Sequence, residues 1–343
     1  MIELGGNRPK PFPWPRGIVP MQLLSIGKKQ RIYTVAFSPD GRDLAAVCGD
    51  LLLRIWDLET GEVRRSVPFP HASSGYDAAY IDAGRMVFSG IDLNWWDIEP
   101  NGWNLISAGA PWGRRLRVSP DGKYLVEVDQ VRSTEWVTGP GVIVRDTATW
   151  EPLLPMEAAE TTTGGAAFSP DGRFLATGHM QHVGRRRRSI GFPPDLGLAR
   201  VEFQVNDYDY LVHLREFPSG QVVRTLGGWQ QPVTELAFSP GGTVLAGTAG
   251  PRLRVWDVAA DRELALHKRG TKHFKGLAFG AGGQFLATVS NDETVRIWDA
   301  RAWEEYRTYT WQIGKLLNIA FAPDGLRAAA GSDKGQIVIW DVD

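Results

Sequence analysis

The strongest constraint in this chain is a unit that repeats. Residues 274–300 hold three short β-type runs, 276–279, 285–290 and 294–299, separated by turn residues, and a fourth run, 305–310, follows. The third run closes on a Trp-Asp pair, Trp298-Asp299. The pair recurs as Trp56-Asp57, Trp96-Asp97, Trp256-Asp257 and Trp340-Asp341, and Trp256, Trp298 and Trp340 stand 42 residues apart. A period of about 40 residues with four strands per copy signals an array in which each sheet buries its faces only by stacking on its neighbours.

Seven copies of the unit can be counted by a turn that ends in glycine, at Gly41, Gly84, Gly122, Gly172, Gly242, Gly283 and Gly325. Three copies read Ser-Pro-Asp-Gly (38–41, 119–122 and 169–172) and one reads Ala-Pro-Asp-Gly (322–325). Proline presets φ for the first turn position, the Asp carboxylate can bond nearby backbone, and glycine takes the positive φ of a bulged hairpin turn. Gly84, Gly242 and Gly283 persist where Pro-Asp is lost, so backbone geometry is what the position requires.

Because the repeat continues through 343 residues, it overrides a length prior of about two domains. Apolar residues make up 43% of the chain, ample for a core, and the net charge of −1 exerts no global pull on nucleic acid or an anionic membrane. Cys48 is the only cysteine, which excludes an intrachain disulfide and fits a reducing, cytoplasmic compartment. No run of about 18 apolar residues predicts a membrane span.

On the five Trp-Asp pairs and seven glycine turns, residues 20–343 resemble the WD-repeat family of β-propellers. The resemblance implies an all-β fold: a seven-bladed propeller of four-stranded antiparallel blades. Residues 1–19, with Pro9, Pro11, Pro13 and Pro15, read as an extended proline-rich tail. The seventh unit stops after its third strand, while the run 21–26 has nothing before it to pair with. That run is therefore predicted to complete the last blade and close the ring.

The chain also departs from the family pattern. Third-strand Trp-Asp is replaced by Arg145-Asp146 and Arg215-Glu216. The Gly-His pair common in family blades becomes Gly27-Lys28, Gly228-Trp229 and Gln312, with only Pro70-His71 placing a histidine there. No blade is expected to assemble a whole His–Ser/Thr–Trp network. Trp103, Trp150 and Trp303 recur in the turn between third and fourth strands and are read as blade-to-blade packing. Two insertions, 129–140 and 179–208, enlarge the loop between second and third strands in neighbouring units. The second carries Arg185, Arg186, Arg187 and Arg188 and an alternating stretch at 200–205, which suggests an outward hairpin with a basic tip.

In the family that loop lies on the face usually used for partners, with the loops between blades. Candidate partner-binding residues are accordingly Trp112, Arg114, Arg115, Trp136, Arg185, Arg186, Arg187, Arg188, Trp229 and Trp311, an aromatic and arginine set of the kind enriched at interfaces. For Trp229 and Trp311, packing over a blade junction is an equal alternative to display. Five arginines against four acids across 179–210 make that insertion nearly self-neutral.

The leading functional reading is a non-catalytic, monomeric scaffold for protein partners of unknown identity. One alternative is an enzyme with a metal or hydrolytic site in the central channel. No Gly-x-Ser-x-Gly, His-Glu-x-x-His or phosphate loop supports it, and no catalytic residue, cofactor or metal ligand is assigned. His179 and His182 lack a neighbouring acid or Cys and read as solvated loop residues. The other alternative is phosphate or nucleic-acid binding through Arg185–Arg188, against which the overall charge argues.

Overall fold

The computed structural model describes residues 22–27, 30–69, 77–90, 92–98, 102–107, 115–128, 141–156, 161–190, 201–280 and 282–342. They form seven antiparallel sheets of four strands each, a seven-bladed β-propeller. The tail 1–19 and Pro70-His71 lie outside the described residues. In six blades the strands follow chain order, and the first strand of every blade lines a central channel.

The seventh blade joins the two chain ends. Its strands Leu316–Phe321, Arg327–Ser332 and Gln336–Asp341 are completed by Gln22–Ser25, paired antiparallel from Gln22 with Ile339 to Ser25 with Gln336. Ile26 extends the ladder by donating its N–H to Gly335 O at 3.0 Å. Leu24 is buried, and with Ile337 and Ile339 it enters the core shared with the first blade.

The turns obey the chemistry read from the sequence. At 38–41 the Ser38 hydroxyl donates to Asp40 at 2.6 Å and accepts the Asp43 N–H at 2.9 Å, while Gly41 sits at φ 70°. The same bonds recur at Ser119–Asp121 and Ser169–Asp171. The Asp of the Trp-Asp pair has a different job: Asp57 accepts the N–H groups of Glu59 and Thr60, and Asp299 those of Arg301 and Ala302. Asp146 does the same after Arg145, so the turn keeps its acid where the tryptophan is lost.

The tryptophans hold the blades together. Trp56, Trp96, Trp256, Trp298 and Trp340 are all buried, each in a core that also contains residues of the preceding blade. Burying an aromatic of this size removes roughly 150–250 Å² from water. At the two junctions lacking it, other rings fill the space. Trp95 stacks on Trp150 with centroids 5.7 Å apart between the second and third blades. Phe217 packs edge-on against Tyr124 and Phe168 between the third and fourth. The replacing arginines turn to the backbone, Arg145 Nη1 donating to Trp150 O and Arg215 Nη1 to Gly220 O. Arg145 also pairs with buried Glu127.

Trp150 packs across a junction as read, and Trp303 lies buried in the core shared by the fifth and sixth blades, edge-on to Phe279 of its own blade; the side chain of Trp103 lies outside the described residues. One link of the His–Ser/Thr–Trp network described above is present: Trp298 Nε1 donates to Thr288 Oγ1 at 2.9 Å, under the ring of His267.

Deleting residues 1–27 should lower the melting temperature by roughly 5–10 °C, since a buried leucine and a four-residue ladder are worth about 3 kcal/mol. Leu24→Ala in the full chain should by itself cause about half of that loss. An unchanged melting curve for the deletion would overturn closure by this strand.

Candidate partner-binding surfaces

The fourth blade is unlike the others because two of its strands outgrow it. Phe174–Ile190 and Val201–Glu216 pair continuously from Phe174 with Glu216 to Ile190 with Val201, with one irregularity at His182/Gly184. The inner neighbour, Thr161–Phe168, reaches only to Met180, and the outer one, Val222–Trp229, only to Tyr210. Beyond those points, among the described residues, the two strands pair only with each other, as a ribbon. Ten residues of the first strand, 181–190, extend about 30 Å past the blade at 3.3 Å each. The expected loop 179–208 is thus largely strand. The arginine run is not a tip: Arg185, Arg186, Arg187 and Arg188 pair with Asn206, Val205, Gln204 and Phe203. Alternation of apolar and polar residues at 200–205 was the signal for this.

His179 is buried rather than solvated. It stands at the ribbon base, its Nε2 2.7 Å from Thr177 Oγ1 and its ring 4.7 Å from that of His213, which bonds Thr225. Burial, with the neighbouring His213 and Arg215, pushes its pKa down to about 3. His182, by contrast, is exposed and lies edge-on to Tyr208.

Trp229 and Trp311 are corrected as displayed anchors. Both are buried in blade junctions, Trp229 stacked on Trp256 with centroids 5.7 Å apart and Trp311 on Tyr309 and Trp340. Arg254 lies over both Trp229 and Trp256 and is bonded to Glu263. An indole in a loop between blades meets the junction groove before it meets solvent, and apolar burial outweighs display. Trp112, Arg114 and Trp136 lie outside the described residues.

Arg115 belongs not to the outer loop face but to the channel. The innermost strands enclose a cavity of about 620 Å³. Across it, Glu235 of the fifth blade accepts Arg115 Nη2 and Arg117 Nη2 of the third, each at 2.8 Å. Arg117 also reaches Asp77 of the second blade at 3.3 Å and donates to Ala166 O of the fourth. Asp77 accepts the Leu116 N–H besides. One guanidinium therefore fastens three other blades. Against the cost of burial, Glu235 and Asp77 raise the pKa of Arg115 further.

This network was invisible in the sequence, because Asp77, Arg117 and Glu235 meet only when the ring closes. It pairs Asp77 and Glu235, the acids that line the channel among the described residues, with arginine. Among the described residues, no three His, Cys, Asp or Glu side chains are placed to hold a metal ion, and no helix is long and apolar enough to cross a membrane.

Comparison with known proteins fits this architecture. Four segments, 21–57, 220–257, 264–299 and 304–341, match WD40 (WD domain, G-beta repeat). Most of these segments run from the outermost strand of one blade through the third strand of the next, so the sequence repeat straddles a junction. All four fall outside 58–219, where the tryptophans are lost and the ribbon grows. Target of rapamycin complex subunit wat1 of Schizosaccharomyces pombe is 27% identical over 156 residues, 45% of this chain and 48% of that protein. Pre-mRNA-splicing factor cwf17 of the same organism is 23% identical over 231 residues, 67% and 60% of the two chains. Nuclear distribution protein PAC1 of Arthroderma benhamiae is 24% identical over 303 residues, 79% and 59%. The chain spans about half to three-fifths of the length of the curated relatives it matches.

Two outcomes follow from the geometry. Arg117→Met should cost about 3 kcal/mol in denaturant unfolding, because it leaves buried carboxylate uncompensated, whereas Arg117→Lys should cost less; equal stability of all three proteins would contradict the network. His179 is held neutral in the fold, while the unfolded chain protonates below about 6.5. Its contribution is complete above that pH and is lost as pH falls toward about 3. Between pH 6 and 4, His179→Gln should show a shallower loss of melting temperature than the parent, and parallel curves would refute this.

Proposed function

We propose that this chain, a WD-repeat β-propeller by its repeats and its fold, is a non-catalytic scaffold that holds protein partners in fixed geometry. The observation that carries the reading is the two-stranded ribbon of the fourth blade. A propeller needs nothing beyond its fourth strands to be stable, and among the described residues no third strand pairs with this ribbon, which projects about 30 Å past the blade. Its value lies in what it reaches.

The rest of the molecule is suited to display rather than chemistry. The channel acids are neutralised by arginine, and blade junctions are filled by stacked rings, so the disc is a rigid support for its loops. The relatives' names lend support, since wat1 is by name a subunit of a complex. The proposal includes a monomeric protein without enzymatic activity in the cytoplasm, the last supported by a single cysteine, Cys48, that is buried as a free thiol.

The test is co-purification from the native cell, with partners identified by mass spectrometry, using the intact protein and a form lacking 181–206. A partner recovered by the first and lost by the second, with both forms melting alike, is the expected result. Equal recovery by both would remove the ribbon from the binding surface.

A further inference from the structure

We infer that the free edge of the first ribbon strand, 181–190, takes up an extended acidic segment of a partner protein as a third β-strand. The inference rests on the ribbon being a partner-binding element, as proposed above, and specifies what it binds.

Among the described residues, no strand pairs with this edge beyond Met180. Pairing with the inner neighbour ends at Met180, so from Gln181 outward every second residue of this strand directs its N–H and C=O away from the ribbon. A vacant edge is a template for strand addition, with main-chain bonds giving affinity and side chains giving specificity. The ribbon has two such edges, and their charges differ. Residues 181–190 hold four arginines and no acid, whereas 201–209 hold Glu202, Asp207 and Asp209 and no basic residue. An acidic strand is therefore attracted to the first edge and repelled from the second.

The register sharpens the match. Arg185 through Arg188 occupy four successive strand positions, so two positions of the run belong to each face. A strand laid alongside would place its residues opposite them in turn, and acidic residues on both of its faces would find arginine positions opposite. Arg185 is exposed and donates from Nε to the neutral side chain of Asn206 at 3.2 Å. Exposed Gln181, His182 and Val183 continue the edge toward the blade.

A second reading of the arginines is defensive, since charge on an edge strand prevents unwanted pairing. The two readings part over an acidic strand, which defence by positive charge does not repel. Duplex nucleic acid fits less well, because a groove would meet the acidic strand of the ribbon together with the basic one, on a protein of net charge −1.

The experiment uses the full chain and three labelled peptides: one alternating pairs of glutamate with pairs of valine, so that acids fall on both faces, one with lysine in place of glutamate, and one of the acidic composition interrupted by prolines that cannot join a ladder. Anisotropy titrations at low salt should show saturable binding of the acidic peptide alone. Changing all four arginines to glutamine should weaken it about tenfold or more. Hydrogen exchange should show amides of 181–190 protected on binding, with 201–209 unchanged. No binding of the acidic peptide, equal binding of the proline-interrupted one, protection on 201–209 instead, or tighter binding of a DNA or RNA duplex would each overturn the inference. Loss of the native partner on removal of 181–206 would still stand in those cases, which separates failure of this inference from failure of the scaffold reading.

Discussion

Everything in this molecule depends on the apolar contact between one blade and the next. A four-stranded sheet with both faces apolar has no stable existence alone, and seven of them in a ring give each face a partner. Five junctions receive a buried indole from the third strand. The two that receive arginine instead are filled by Trp95 on Trp150 and by Phe217 against Tyr124 and Phe168. The requirement is thus for ring volume at the junction rather than for tryptophan at one position. The aspartate beside it answers to a separate demand, the following turn, which is why Asp146 persists when its tryptophan does not.

Much of the fold was legible because its causes are local. A glycine at positive φ, a serine hydroxyl holding the turn and a 42-residue spacing each act within a few residues or one period. Closure by residues 22–25 could be deduced because an odd strand at one end matched a missing one at the other. The candidate site was legible in part. Arginines 185–188 and their alternating partner stretch marked the ribbon, but strand pairing could not be followed to Ile190 from one side alone. Trp229, Trp311 and His179 resisted reading for a common reason: a loop residue's exposure depends on how closely the next blade approaches, and no local pattern records that distance. Arg115 sits in the same class, one residue inside the channel rather than on the rim.

The channel network gives the ring a second kind of tie. Junction contacts join nearest neighbours only, whereas Arg117 connects the third blade to the second, fourth and fifth, and Glu235 reaches back across the fourth. The ties span the blade with the projecting ribbon and the two junctions without a third-strand tryptophan. Directional bonds to charged groups are sensitive to geometry in a way that apolar packing is not, so they fix the relative placement of the least regular blades.

The pairing of Gln22–Ser25 with Gln336–Asp341 also sets a timetable. On a ribosome the second of these strands follows the first by roughly 310 residues, made at about 5–20 residues per second. Over that interval the early strand has no partner among the described strands, because the one it pairs with belongs to the seventh blade. Intermediate blades can form as their neighbours appear, but the ring stays open, with two sheet faces exposed, for many seconds. A closing strand held back in this way couples native assembly to arrival of the seventh blade, and leaves the open ring dependent on whatever shields its end faces in the meantime.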